Sequence, residues 1–484
     1  MTSTFFESSS VFFQRHERRI VFFILGLFLV FNLVTAPFSP DPWNDEISYS
    51  EPAVTLAATG HLTSHAWGAQ GQPVWTGNSP LHQLLLAGFI KIFGFGSRTV
   101  RGIDVIYYTL AVLIIYQIVR GFSLIETTRN RLLLILVLLS GTGLVALYRN
   151  GRYDTLGALL VILWVWFSLL SKKRLAFLIG VFFTAILMPI GSLNIAPLLV
   201  LCGAVALFLW RWQAVRPLAV AGAGCLTGMA IMQVTYAHFG VPHVFHALLA
   251  SSGGRDVGSD FVLSVFKNPS YIAAVAVGCL LIFPLKRDAI QNDRFDKKIA
   301  LALFSIAVII PIFMAVVAKY HIYYSWMAII PGTICAFMAM ESKSVPNFVR
   351  VLAVGLILVA TLPGFPRRCI RIASSWMQNR PAEIASAARK DVSSDDVVFV
   401  NEGSVMVYYG VLPAVRESFW LTAPVDDQSK AAINVVFWPE AGAEKQIHDL
   451  LGSEWRQTDY QQFVHESLSV FREPPAHFAV YRRI

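Results

Sequence analysis

Charge is what this sequence has least of. Asp, Glu, Lys and Arg make up 14% of its 484 residues, against 55% hydrophobic residues and 13% aromatics. Soluble domains carry nearer a quarter charged residues, so a soluble globular chain is excluded. Cysteine is scarce as well. The five, Cys202, Cys225, Cys279, Cys335 and Cys369, lie apart, four of them inside apolar runs and none in Cys-x-x-Cys spacing. Neither a disulfide framework nor a thiolate metal site is indicated. The first apolar run, from Ile20, lacks a small-residue cleavage site and reads as an uncleaved first helix. No internal repeat or inverted half-symmetry is apparent, which argues against the commoner transporter folds.

What the chain does have is apolar runs long enough to cross about 30 Å of hydrocarbon, recurring over its first three-quarters. Arg15, Arg18 and Arg19 precede the first of them and predict a cytoplasmic amino terminus. Spans are expected near 20–38, 101–119, 131–148, 154–170, 175–190, 193–210, 217–237, 271–285, 299–318, 322–340 and 348–364. Pro80 to Phe93 is too short for a span and reads as an interfacial helix on the outer face. With this count the cytoplasmic segments hold eighteen Lys and Arg and the short external segments eight, a clear positive-inside bias. The net charge of +9 is accounted for by that bias and gives no reason to invoke nucleic acid.

An odd number of spans places residues 366–484 outside, where the composition turns polar. Val397–Val400, 433–437 and 477–481 read as strands, and 441–451 as a helix. The fold class is therefore an all-α polytopic membrane protein of about eleven transmembrane helices. Residues 1–365 form the membrane module, with a first external loop over 39–100, and 366–484 a small C-terminal α/β domain.

Carboxylates at a membrane edge are costly unless they have a task. Asp45 and Glu46 sit on the loop leaving the first span. Pro52 and Gly60 bracket a short helix over Ala53–Thr59. Arg149-Asn150-Gly151-Arg152-Tyr153-Asp154 lies on the outer loop between the third and fourth spans, two arginines and an acid that can hold an anionic headgroup. Asn78-Ser79-Pro80-Leu81-His82 opens the interfacial helix, followed by Gly94, Arg98 and Arg101. Lys319-Tyr320-His321-Ile322-Tyr323-Tyr324 offers a cation beside aromatics. His238, His243 and His246 have a spacing that can bind a metal, but no carboxylate motif accompanies them. Each group alone also reads as boundary anchoring, capping or an aromatic belt. All five are expected on one face, where a shared cavity suits transfer of a group from a lipid phosphate.

Their order resembles the GT-C superfamily of membrane glycosyltransferases, closest to the bacterial branch of protein O-mannosyltransferases and aminoarabinose (lipid A) transferases. Asp45-Glu46-x-x-Tyr49-x-Glu51 is similar to that family's acidic signature, Ser79-Pro80-Leu81 with Phe93-Gly94 and Arg101 to its Lys-Pro-Pro-Leu block, and Arg152-x-Asp154 to its second acidic motif. Tyr323 or Tyr324 before Pro331 is similar to its late Tyr…Pro segment. The resemblance implies a polyprenyl-phosphate-linked sugar as donor, inversion at the anomeric carbon, and a glycolipid, glycan or protein acceptor in the bacterial cell envelope. It implies Asp45, Glu46 and Asp154 as catalytic carboxylates. Arg101, Arg149, Arg152 and Lys319 would hold the donor phosphate, and Tyr49, His82, Tyr323 and Tyr324 would line the sugar or lipid. No cofactor is required, although some distant relatives use a divalent metal. Asn78 and Ser79 depart from the pattern, replacing the family's lysine and first proline and leaving phosphate binding to the other cations. A flippase for a lipid-linked glycan and a partner-recruiting scaffold are the rival readings.

Overall fold

The structure is a computed structural model that describes residues 2–38, 44–62, 64, 80–246, 271–281, 295–316, 324–342, 345–361, 364–377, 380–412, 415, 417–420, 427–463 and 476–484. The described residues of the membrane module are predominantly helical. Its elements are α1 (Thr2–Thr35, closed by a 3-10 turn at Ala36–Phe38), α2 (Asn44–Thr59), α3 (Pro80–Phe93), α4 (Ser97–Gly121), α5 (Thr128–Ser140), α6 (Thr142–Tyr148) and α7 (Asp154–Ser171). They continue with α8 (Phe177–Gly191), α9 (Ala196–Trp210), α10 (Trp212–His238), α11 (Tyr271–Leu281), α12 (Phe295–Val316), α13 (Trp326–Glu341), α14 (Asn347–Thr361) and α15 (Gly364–Met377). Among the described residues, six helical stretches are long and apolar enough to cross a membrane, starting at Arg15, Ser97, Asp154, Leu193, Trp212 and Asn347. Shorter apolar helices occupy the other expected positions.

One expected span, 131–148, is two helices. The backbone leaves helical geometry at Gly141, between α5 and α6. Inside a bilayer no water is at hand for carbonyls freed by such a break. Two tyrosines supply the donors instead. Tyr108 donates to the Leu138 carbonyl at 2.7 Å and Tyr148 to that of Leu139 at 3.2 Å, and the two rings stack 4.7 Å apart.

The bundle has two polar ends. At one, Arg131 forks onto Glu17 at 2.6 and 2.7 Å, and Glu341 at the foot of α13 accepts from the Thr127 N–H and hydroxyl ahead of α5. From Glu17 to Thr35 is eighteen residues of helix, roughly 27 Å. The other end gathers the starts of α2, α4 and α7, and the C-terminal domain sits on it.

That domain comprises α16 (Arg380–Lys390), β1 (Val397–Val400), α17 (Tyr408–Val411), β2 (Glu417–Trp420), α18 (Asp427–Ala432), β3 (Val435–Trp438), α19 (Glu444–Leu451), β4 (Trp455–Phe463) and β5 (Ala476–Arg483). The sheet order is β2-β1-β3-β5-β4, with β1 parallel to β2 and β3, and β5 antiparallel to β3 and β4. Side chains alternate faces along each strand. Val398, Val400, Val435 and Phe437 meet Ile384 of α16 and Tyr408 of α17, while Phe399, Val436 and Tyr481 meet Ile447 of α19. The strands β2 and β4 were not legible in the pattern. Both lie at sheet edges, and β4 alternates half-exposed polar residues that carry no apolar signal.

Candidate active site

The acidic helix is longer than its proline suggests. α2 starts at Asn44, so Asp45 and Glu46 occupy its first turn, where the helix dipole favours carboxylates, and Pro52 lies inside it. The expected start at Pro52 is thus corrected. Proline removes one N–H, but side contacts hold the turns before it. Ser50 donates its hydroxyl to the Glu46 carbonyl at 2.6 Å, and Gln83 of α3 donates to the Tyr49 carbonyl at 2.6 Å. Gly60 closes the helix at φ +80°, as the sequence predicts.

Two buried ion clusters follow from that placement. In the first, Arg101 on α4 forks onto Glu46, with Nε to Oε1 and Nη2 to Oε2 both at 2.7 Å and neither side chain exposed. Its remaining Nη1 donates to the Ala36 carbonyl at 2.7 Å. Beside it, Arg149 donates to the Thr35 carbonyl at 2.6 Å and to the Asn32 and Thr35 side chains. The two arginines cap the carboxyl-terminal end of α1, where cations meet the helix dipole. Burial, then the charges of Arg101 and Arg368, push the Arg149 pKa down to about 9, which leaves it charged at neutral pH.

In the second cluster, Arg152 is the centre. Its Nε donates to Asp154 Oδ2 at 2.7 Å, its Nη1 pairs with Asp45 Oδ2, and its Nη2 reaches the Tyr324 hydroxyl at 3.4 Å. The guanidinium lies over the Tyr49 ring, 4.8 Å from its centroid. Arg152 and Asp154 are each 2% exposed, whereas the Asp45 side chain is 35% exposed. Asp45 is therefore the open edge of a closed ion cluster. Burial raises the Tyr49 hydroxyl pKa well above the ordinary range, so that group stays a neutral donor. Gly151 lets the two clusters touch. At φ +64° a side chain there would be strained, and a Cβ would come within 2.8 Å of Glu46 Cγ.

The structure thus brings Asp45, Tyr49, Arg152, Asp154 and Tyr324 together, with Glu46, Arg101 and Arg149 in a layer behind them. His82 stands apart on α3, fully buried and edge-on to Tyr107 at 6.4 Å. Burial alone takes its pKa down to about 4, so the ring is neutral at physiological pH. Lys319 and Tyr323, and the Asn78-Ser79 departure, lie outside the described residues. His238, His243 and His246 are exposed, and no set of three metal-ligating side chains gathers among the described residues. Sequence reasoning missed Asn194, whose side-chain amide donates to the Tyr153 hydroxyl at 2.7 Å and the Tyr324 hydroxyl at 3.1 Å. A lone Asn at the break between two apolar runs was its only signal.

The chain is thus a helical membrane module whose Asp-Glu helix is backed by an Arg-x-Asp loop and capped by a C-terminal α/β domain. No protein-family model and no curated protein matches the chain, but solved structures do. ArnT from Cupriavidus metallidurans bound to undecaprenyl phosphate matches at a TM-score of 0.59 and 14% identity, over 95% of this chain and 97% of that one. The same enzyme in the apo state gives 0.57 and 12% identity over the same shares. At such identities the likeness establishes the fold.

Proposed function

We propose that this chain is an integral membrane glycosyltransferase. It would move a sugar from a polyprenyl-phosphate donor to an envelope acceptor, a glycolipid, glycan or protein, with inversion at the anomeric carbon. The observation that carries this reading is the Asp45–Arg152–Asp154 cluster, in which one partly open carboxylate is tied to a buried guanidinium. In the reaction an acceptor hydroxyl or amine forms a bond to the anomeric carbon as the bond from that carbon to the phosphate oxygen breaks. Asp45 takes the acceptor's proton or orients the acceptor. Arg152 offers its Nη1 to the leaving phosphate, competing with Asp45 for the same donor and releasing that carboxylate for the acceptor. Asp154 holds the other edge of the guanidinium and fixes its plane. Glu46, Arg101 and Arg149 position α2 and the end of α1.

The ArnT structure was solved with undecaprenyl phosphate, and the fold shared with it supports a lipid-phosphate donor here. An apolar cavity of about 120 Å³ supports it too. Its lining runs from Trp326 and Met327 of α13, just beyond Tyr324, to Ile118 and Leu169 near the far ends of α4 and α7, so it lies along the bundle beneath the site and offers room to part of an isoprenoid chain. The charge bias of the loops supports a cytoplasmic amino terminus, with the site and C-terminal domain on the opposite side, and the fold shared with ArnT supports a bacterial inner membrane, that side being the periplasm.

The test is donor saturation. Arg152→Ala is expected to raise the KM for a polyprenyl-phosphate sugar at least about tenfold, the scale of one charge-assisted contact. Unchanged donor saturation with normal protein levels would remove the phosphate role.

A further inference from the structure

The C-terminal domain reaches into the acidic cluster through two adjacent tyrosines. Tyr409 on α17 donates its hydroxyl to Glu46 Oε1 at 2.6 Å, on the oxygen that also accepts from Arg101 Nε. Tyr408, its neighbour, lies 2.8 Å from the Ser50 hydroxyl. Because the Ser50 proton goes to the Glu46 carbonyl, Tyr408 is the donor in that pair. Phe95 meets both rings, edge-on to Tyr408 at 5.5 Å and tilted against Tyr409 at 5.4 Å. Ile47, on the same turn as Asp45, is buried among Ile384, Val398, Val400 and Phe478 of the C-terminal domain.

The four-residue helix that carries these tyrosines is itself fixed. A Cβ on Gly410 would fall 2.3 Å from the Ala385 carbonyl oxygen of α16, so α17 is seated directly on its neighbour's backbone. Glu46 is in consequence held from three sides: by the Arg101 fork, by the Gly151 backbone and by the Tyr409 hydroxyl. Asp45 is the next residue along the same helical turn, and its ion-pair partner among the described residues is Arg152. Whatever sets the rotation of that first turn sets where the Asp45 carboxylate points.

We infer that Tyr409 is a positioning residue: by hydrogen-bonding Glu46 from the C-terminal domain it fixes the first turn of α2 and so aims Asp45. The inference rests on the reading of Asp45 as the reacting carboxylate. Under it, the C-terminal domain is part of the active site's scaffold, and catalytic competence depends on its docking. A geometric error of about 1 Å at a reacting group is enough to cost a hundredfold in rate.

Two single-atom deletions separate this from plain interface stability. Tyr409→Phe and Tyr408→Phe each remove one hydroxyl from the same buried interface and keep both rings on Phe95. Tyr409→Phe is expected to lower kcat for transfer from a polyprenyl-phosphate sugar about ten- to a hundredfold, with both KM values held within about twofold. Tyr408→Phe, which leaves Glu46 fully bonded, is expected to stay within about threefold of the parent in kcat. In hydrogen–deuterium exchange, Tyr409→Phe should speed the amides of 44–50 at least about fivefold more than Tyr408→Phe does. Equal effects of the two variants on both kcat and exchange would overturn the inference and leave only a docking contact. The exchange comparison uses no substrate. It decides the inference even where the parent shows no transfer from polyprenyl-phosphate sugars, a result that would sink the functional reading alone.

Discussion

Asp45→Asn is expected to lower the rate of sugar transfer about a hundred- to ten-thousandfold, the range a positioned general base contributes. The substitution keeps the side chain's shape and removes its charge and its ability to take a proton. Arg152 retains Asp154 at 2.7 Å and its place over Tyr49, so the cluster stays closed. The Asp45 side chain is 35% exposed, so water solvates the substituted amide while the buried guanidinium keeps Asp154 as its counter-charge, and no charge is left stranded. Protein accumulation and thermal midpoint should therefore match the parent's. Transfer assayed in membranes against a quantified protein band checks this. Full activity in the variant would remove Asp45 as base, whatever the fate of Arg152.

Arg101→Ala should behave in the opposite way, failing in stability before chemistry. It would strand the Glu46 carboxylate, which has no exposure to solvent, with Tyr409 as its remaining partner. It would also uncap the Ala36 carbonyl at the end of α1. Breaking one side of a buried ion pair costs about 3–5 kcal/mol, a large fraction of a typical domain's stability. The expected result is loss of folded protein or a large drop in thermal midpoint. The double variant Arg101→Leu with Glu46→Leu should recover much of that stability, since it removes both charges together. A stable, folded Arg101→Ala protein that loses only donor affinity would place Arg101 at the phosphate instead.

How much of this was legible depended on the range of the interaction. The bounds of α3, Pro80 to Phe93, follow from a run of apolar residues opened by proline, and they appear unchanged in the structure. Strand β1 at Val397–Val400 and the strand ending at Phe437–Trp438 are buried central strands made of β-branched and aromatic residues, and they read directly. The Asp-Glu pair and Arg-x-Asp motif were visible because charges are so sparse. What the charges do was less visible. That Arg152 answers both Asp45 and Asp154, while Arg101 is committed to Glu46, is a matter of pairings 107 and 55 residues apart in the chain. Arg149 likewise read as a phosphate ligand from its place beside Arg152, and the structure sets it on the end of α1.

The break at Gly141 was hidden for a related reason. The helix resumes at once, and the tyrosines that satisfy the freed carbonyls come from another turn and another helix. Tyr408 and Tyr409 carried no signal in a segment that looks like an ordinary loop of a soluble domain, because their meaning lies 358 and 363 residues away, at Ser50 and Glu46.

The central claim is that the end of the bundle holding Asp45 and Arg152 binds a polyprenyl phosphate for group transfer. The most direct measurement is an experimental structure of the protein in lipid with undecaprenyl phosphate added. Phosphate density is expected within hydrogen-bonding distance of the Arg152 guanidinium, with Asp45 displaced from Nη1 and turned toward the open side. Phosphate bound at the other end of the bundle, beside Arg131 and Glu17, or Arg152 still closed on Asp45 with lipid bound elsewhere, would contradict it.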